Sequence, residues 1–252
     1  MAAAWVPNAE GVDLAQPLPF KSKEELKKVE LIQMLGSPPC HTIRCFFDFA
    51  SIPFEVVEVS LVTRSQLKRS SSYKKVPILF FDGQYQVNDS FIVLKTLAPL
   101  VFGRDATQQE LDQMTEINQG LMIRLETEMF GTKERIKKYS GPVLEKAGCS
   151  KYVLQMVIPS AVTKIRAQLL AKNPNLKTLK EYGEEFKSKL SGPFFAGAEP
   201  GPADIAMFSL IHFMVVLGLT DVSDQLLKDG GLGDFYQAVE AKFPKGVAGI
   251  FR

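Results

Sequence analysis

The apolar positions of this chain change period part-way along it. Val29 to Met34 and Phe54 to Val59 are short, apolar-rich segments of strand length. Between them Ile43, Phe46, Phe47 and Ala50 follow at i, i+3, i+4 and i+7, the stripe of a helix that packs on a sheet. Ser37-Pro38-Pro39 gives that helix its start, with a serine N-cap and proline at the first helical position, and Pro53 ends it. Val76 to Phe81 and Gln84 to Val87 flank Asp82-Gly83, a two-residue hairpin turn, and Asp89-Ser90 caps a helix predicted to reach about Leu97. From there the period is helical: Leu111, Met114, Asn118, Leu121, Met122, Leu125 and Met129 mark one long helix, and Tyr182, Phe186 and Leu190 another. Pro202 opens a nearly all-apolar helix through Val216, which must be central to a second core.

The order β-α-β-α-β-β-α over the first part is the thioredoxin-like arrangement found in glutathione transferases. The predicted fold class is therefore α/β plus all-α, a GST-like fold with a thioredoxin-like N-terminal domain and a helical C-terminal domain. Its divisions are an Ala- and Pro-rich arm over residues 1–25, an α/β domain over 26–101, a linker around Phe102 to Ala106, and a helical domain over 107–252. Trp5, the single tryptophan, lies in the arm; burial against the body or a partner and a mobile tail are both open for it.

The chain has 252 residues, enough for two modest cores, and its apolar and charged shares are those of a globular protein. A formal charge of +2 argues against a nucleic-acid partner and leaves small molecules or proteins. No run approaches the roughly 18–20 apolar residues of a transmembrane helix, and Leu210 to Leu219 reads as a buried helix. Met1 to Gln16 has no basic residue and resembles no targeting signal, so the default location is the cytoplasm, with an organelle as the alternative. Cys40, Cys45 and Cys149 lack the spacing of a disulfide framework or zinc site, and His41 and His212 stand apart in sequence, so no metal site is expected.

The candidate chemistry gathers at two helix starts. Ser37 to Cys40 spells S-P-P-C at a strand-to-helix junction, where dithiol redox proteins carry C-x-x-C. The unpaired N–H groups and partial positive charge there favour a thiolate, and Ser37 could donate a hydrogen bond to the sulfur of bound glutathione. A plain helix cap is the competing reading of Ser37. Cys40 and Cys45 read as buried packing, since Cys40 has no partner at position 37. Val76-Pro77 opens a strand, a place where thioredoxin-like folds usually carry a cis proline that turns the preceding backbone toward an extended peptide. At Asn88-Asp89-Ser90, Ser90 and free backbone N–H groups can hold a carboxylate while Asp89 attracts an amine; a capped helix is again the alternative. Arg64, Lys68, Arg69, Lys74 and Lys75 form a basic stretch that suits either anionic ligand groups or a solvated face.

These residues resemble the prostaglandin E synthase 2 family, a glutathione-transferase-like group. The resemblance is carried by C-H-T-I-R-C-F-F-D-F at Cys40 to Phe49, P-F-E-V-V-E-V at Pro53 to Val59, Y-K-K-V-P-I-L at Tyr73 to Leu79 and N-D-S at Asn88 to Ser90. In the second half, F-A-G-A-E-P-G-P-A-D-I at Phe195 to Ile205 is similar to that group's F-x-G-x-x-P-x-x-A-D-L. The resemblance implies glutathione as cofactor, with Val76, Pro77, Asp89 and Ser90 in its site, and isomerisation of a lipid endoperoxide or a related transfer to a hydrophobic small molecule. It departs where Ser37 replaces the first cysteine of C-P-F-C, Met34 replaces a tyrosine, and Gly201 replaces the Ser/Thr cap of the Asp204 helix. Those departures favour an alternative, a non-catalytic structural or binding subunit of a larger, organellar assembly. A homodimer is a further arrangement that such folds adopt.

Overall fold

The computed structural model describes residues 18–60, 63–70, 73–146 and 151–246, with the side chains of 142, 144–146 and 151–161 left aside. Trp5 and Cys149 lie outside the described residues. Phe20, in the described part of the arm, packs its ring on Phe81 and, edge-on, on Tyr85 of the first domain.

Four strands, β1 (Val29–Gln33), β2 (Glu55–Glu58), β3 (Ile78–Phe81) and β4 (Tyr85–Asn88), make one sheet in the order β2-β1-β3-β4. β1 and β2 run parallel through the helix α1 (Pro38–Ala50), while β3 and β4 pair antiparallel with Phe81 opposite Tyr85. β3 is apolar and buried at all four positions, as an inner strand covered on both faces should be. One face carries α1 and α2 (Ser90–Phe102); the other carries Val59, Leu67 and Tyr73 against Ile32, Ile78 and Phe80.

Two details depart from the sequence expectation. Between β2 and β3 the described residues form only a 3₁₀ turn, Ser65–Arg69, rather than an α-helix. That segment buries one apolar side chain, Leu67, too little to hold an amphipathic helix on the sheet. α2 also continues past Leu97 to Phe102, where Gly103 at φ 67° donates its N–H to the Pro99 carbonyl and stops it.

The second domain is helical: α3 (Gln108–Glu116), α4 (Met122–Met129), α5 (Lys133–Lys146), α6 (Lys151–Lys172), α7 (Leu179–Ser188), α8 (Pro202–Val216), α9 (Thr220–Asp224) and α10 (Gly233–Glu240). α3 and α4 are one long helix interrupted by a π turn at Ile117–Leu121. α8 is buried along nearly its whole length because it lies between the second domain and α1. A single hydrophobic cluster runs from Leu31 and Phe46 of the first domain to Phe208 and Val239 of the second. The domain joint is therefore core, not a hinge.

Two residues of that joint have close-approach requirements. A Cβ on Gly36 would lie 2.8 Å from Tyr139 Oη and 3.1 Å from Val143. A Cβ on Gly201 would overlap Glu110 Oε1 and lie 2.9 Å from Arg104 Nη2. Glu110 holds Arg104 in a bidentate pair of 2.6 and 2.8 Å, so the space a capping hydroxyl would need is already filled. Asp204 replaces that cap from within the helix, accepting from the N–H of Gly201 and of Phe195, both at 2.8 Å.

Candidate functional site

The junction of β1 and α1 folds as its sequence requires. Ser37 has extended backbone (φ −89°, ψ 117°), donates its N–H to the Met34 carbonyl at 2.9 Å, and accepts with its own carbonyl from His41 N–H at 3.0 Å. Its hydroxyl makes no cap bond to the helix backbone. That hydroxyl and the backbone of Met34 both act to lower the pKa of the Cys40 thiol, against its burial. Pro38 and Pro39 occupy the first two helical positions and bring no N–H, so Cys40 supplies the first free backbone donor of α1. S-P-P-C thus offers an anion fewer donors than a motif with one proline.

Cys40 is fully buried, and burial pushes its thiol up to about 11 despite Ser37, Met34 and Arg44. At neutral pH it is a packed thiol rather than a nucleophile. From the second domain, the Tyr139 hydroxyl donates to the Gly36 carbonyl at 2.9 Å, with Phe130 edge-on to its ring. Burial, with Glu126 as charged neighbour, pushes the Tyr139 hydroxyl up to about 12, so it remains a donor.

The Val76–Pro77 peptide is cis. The Pro77 carbonyl accepts from the backbone N–H of Asp89 at 3.2 Å, which ties the start of β3 to the start of α2. Asp89 sits at φ 70°, a conformation uncommon outside glycine, and one carboxylate oxygen accepts from Phe91 N–H at 2.9 Å. Burial raises the Asp89 carboxyl above its usual range, opposed by bonds from Phe91 and Ile92 and by Lys75. Ser90 is buried and lines a crevice between the domains with Thr42, Phe91, Leu94, Met114 and Met122. The crevice is apolar and holds space for little more than a water molecule.

Tyr73, from the Y-K-K-V-P-I-L motif, packs on the sheet with Ile32, Ile78 and Phe80. It is buried, and desolvation raises its hydroxyl, with the charge of Asp89 as a further cause. Pro77 and Asp89 are joined through their backbones, with Ser90 on the interdomain side, while Ser37 and Cys40 stand at the start of α1. The basic stretch does not act as a unit. Arg69 pairs with Glu30 at 3.0 Å and lies 4.6 Å above the Phe80 ring, and Lys74 bonds the Ser70 carbonyl. Lys75 is the member whose charge bears on Asp89, lowering its carboxyl against burial.

A thioredoxin-like sheet joined to a helical bundle, with paired helix starts and a cis-proline strand between them, is a GST-like fold. The sequence agrees for the first domain: residues 31–104 match the family model of the glutathione S-transferase N-terminal domain. Prostaglandin E synthase 2 of Danio rerio is 37% identical over 84 residues, and that of Mus musculus 41% over 86, each 33% of this chain. Those stretches are 22% and 21% of the two proteins, so the chain spans about a fifth of the curated relatives it matches. A possible glutathione S-transferase from Rhodopseudomonas palustris superposes with a TM-score of 0.56 at 15% identity, covering 89% of this chain and 98% of that one. Rice GST1, solved in complex with glutathione, gives 0.52 at 14% identity, covering 89% and 92%. At those identities the structures establish the fold.

Proposed function

We propose that this protein binds glutathione across the starts of α1 and α2 and uses it in a transferase or isomerase reaction on a hydrophobic small molecule. The observation that carries the reading is the tie between the cis-proline strand and the start of α2: the Val76–Pro77 peptide is cis and the Pro77 carbonyl accepts from Asp89 N–H at 3.2 Å. In this reading Val76 and Pro77 present backbone to the peptide. Ser90 and the first N–H groups of α2 hold its γ-glutamyl carboxylate, and the second Asp89 oxygen holds the amine. Ser37 is the donor to the glutathione sulfur, and Cys40 takes no covalent part because its thiol is protonated. The likeness to prostaglandin E synthase 2 supports a lipid-like second substrate, and the apolar crevice of Phe91, Leu94, Met114 and Met122 would have to open to admit one.

Calorimetric titration with glutathione tests this directly. Heat of binding in the wild type, lost in Asp89→Ala/Ser90→Ala while a thermal melt still shows a folded protein, supports the site. No heat and no thermal stabilisation at millimolar glutathione overturns it.

A second reading, a non-catalytic subunit of an assembly, is favoured by Tyr139 and Val143 lying over Gly36 beside Ser37. It predicts no glutathione binding in the wild type and none in Tyr139→Ala.

A further inference from the structure

The two histidines, separate in sequence, meet where α1 crosses α8. His41 Nε2 lies 3.0 Å from His212 Nδ1, with ring planes 4° apart and centroids 5.2 Å apart. Two imidazoles so disposed point at each other edge to edge, as in an N–H···N bond. Arg44 Nη2 lies 3.3 Å from the other nitrogen of His41, and Cys45 Sγ lies 3.3 Å from His41 Nε2. All four side chains are at most 5% exposed.

A bound metal is the first reading to weigh, because His41, Cys45 and His212 place their donor atoms within 4.8 Å of one another. The surrounding chemistry opposes it. A histidine that binds metal through Nε2 must carry its proton on Nδ1 and donate it to an acceptor. Here Nδ1 faces arginine, which has donors only. That same fact fixes the neutral pair: His41 Nδ1 accepts from Arg44, His41 Nε2–H donates to His212 Nδ1, and the His212 proton is on Nε2.

We propose that Arg44, His41 and His212 form an acid-labile joint between the domains, a hydrogen-bond chain whose direction Arg44 fixes and which holds α1 to α8 only while both imidazoles are neutral. An unconstrained histidine pair can take up one proton and share it. This pair cannot. A proton on His212 Nδ1 needs His41 Nε2 as acceptor, which moves the His41 proton to Nδ1 and against the guanidinium. A proton added to His41 itself does the same and sets two cations together.

The neighbours offer little relief. On α1, Arg44 is the adjacent charge, with Asp48 one turn beyond it and the thiols of Cys40 and Cys45 nearby. From the sheet, Gln33 accepts from Arg44 and donates to Glu58 at 3.0 Å, and Glu58 also accepts from Leu35 N–H. On α8, Phe208 stacks on His212 and Phe213 tilts against His41. From α10, Tyr236 stacks on His212 while its hydroxyl engages Glu240. Burial accordingly lowers His212 to about 4, and burial with Arg44 and His212 holds His41 well below the usual histidine range. The closed joint binds fewer protons than the open one, so it weakens as pH falls from 6.5 towards 4.

The joint is independent of glutathione binding, and two measurements on the intact protein test it. Nitrogen-15 spectra of the histidine side chains at pH 7.5 should show Nδ1 unprotonated and Nε2 protonated in both rings. Native-state hydrogen exchange of α1 and α8, corrected for intrinsic rates, should show the opening constant rising roughly 30-fold per histidine between pH 7.5 and 5. That rise should be lost in His41→Gln/His212→Gln. A protonated His41 Nδ1, or an equal rise in the double variant, would overturn the proposal. So would thermal stabilisation by Zn(II) that Cys45→Ser removes.

Discussion

Tyr139 of the helical domain donates its hydroxyl to the carbonyl of Gly36, the residue just before Ser37. One hydrogen bond of 2.9 Å thus connects the second domain to the backbone that sets the start of α1. Adding a methyl at Gly36 forces it against that hydroxyl. Gly36→Ala should lower stability by about 1–3 kcal/mol, the usual cost of overpacking. Combining it with Tyr139→Phe, which removes the nearest atom, should return part of the loss in denaturant titration; full additivity of the two losses would refute the contact.

Ser37 and Cys40 should respond differently from what their motif suggests. Because the Ser37 hydroxyl makes no cap bond, Ser37→Ala should cost less than the ~1 kcal/mol of a typical N-cap. If Ser37 is the donor to the glutathione sulfur, turnover should nevertheless fall on the order of 10²-fold. Steady-state kinetics beside a thermal melt separates the two effects.

The Cys40 thiol, at about 11, should resist iodoacetamide at pH 8 in the native protein and react once the chain is denatured. Mass spectrometry of the peptide containing it reads this out, and fast native labelling would contradict the buried thiol.

Gly201→Ser restores a residue that would ordinarily improve a helix start by about 1 kcal/mol. It should destabilise this protein instead, since the new Cβ overlaps Glu110 while Asp204 already bonds the Gly201 N–H. A rise in Tm would show that the Arg104–Glu110 pair yields.

Asp204 and the histidines should oppose each other in acid. Burial raises Asp204 to about 6, so the native state holds that proton more tightly and its contribution to stability falls as pH rises from about 4 to 6. The lowered histidines contribute the opposite slope between about 4 and 6.5. The wild-type stability should still rise with pH there, because two histidines outweigh one carboxyl; the rise should be steeper in Asp204→Asn and reversed in sign in His41→Gln/His212→Gln. Thermal melts across that range check all three.

Much of the fold was legible because local rules act within a few residues. Proline and glycine punctuation, the Asp82-Gly83 turn and the i, i+3, i+4 stripe of α1 placed the strands and the first helix nearly at their observed bounds. The segment between β2 and β3 misled, because strand order alone suggested a helix that its single buried leucine does not support. Both helix starts were also visible, since caps are written in adjacent letters.

The sequence by itself therefore determined the two domains, the order of their elements and the positions of Ser37, Pro77, Asp89 and Ser90 at element ends. Tertiary structure decided what those side chains meet. It buried Cys40, set Tyr139 over Gly36, filled the Gly201 space with Glu110 and brought His41 to His212 across 171 residues. Periodicity and capping are short-range, whereas a contact between α1 and α8 depends on how two whole domains pack. Burial in that joint, with Arg44 set beside His41, keeps the Cys40 thiol and the two imidazoles uncharged.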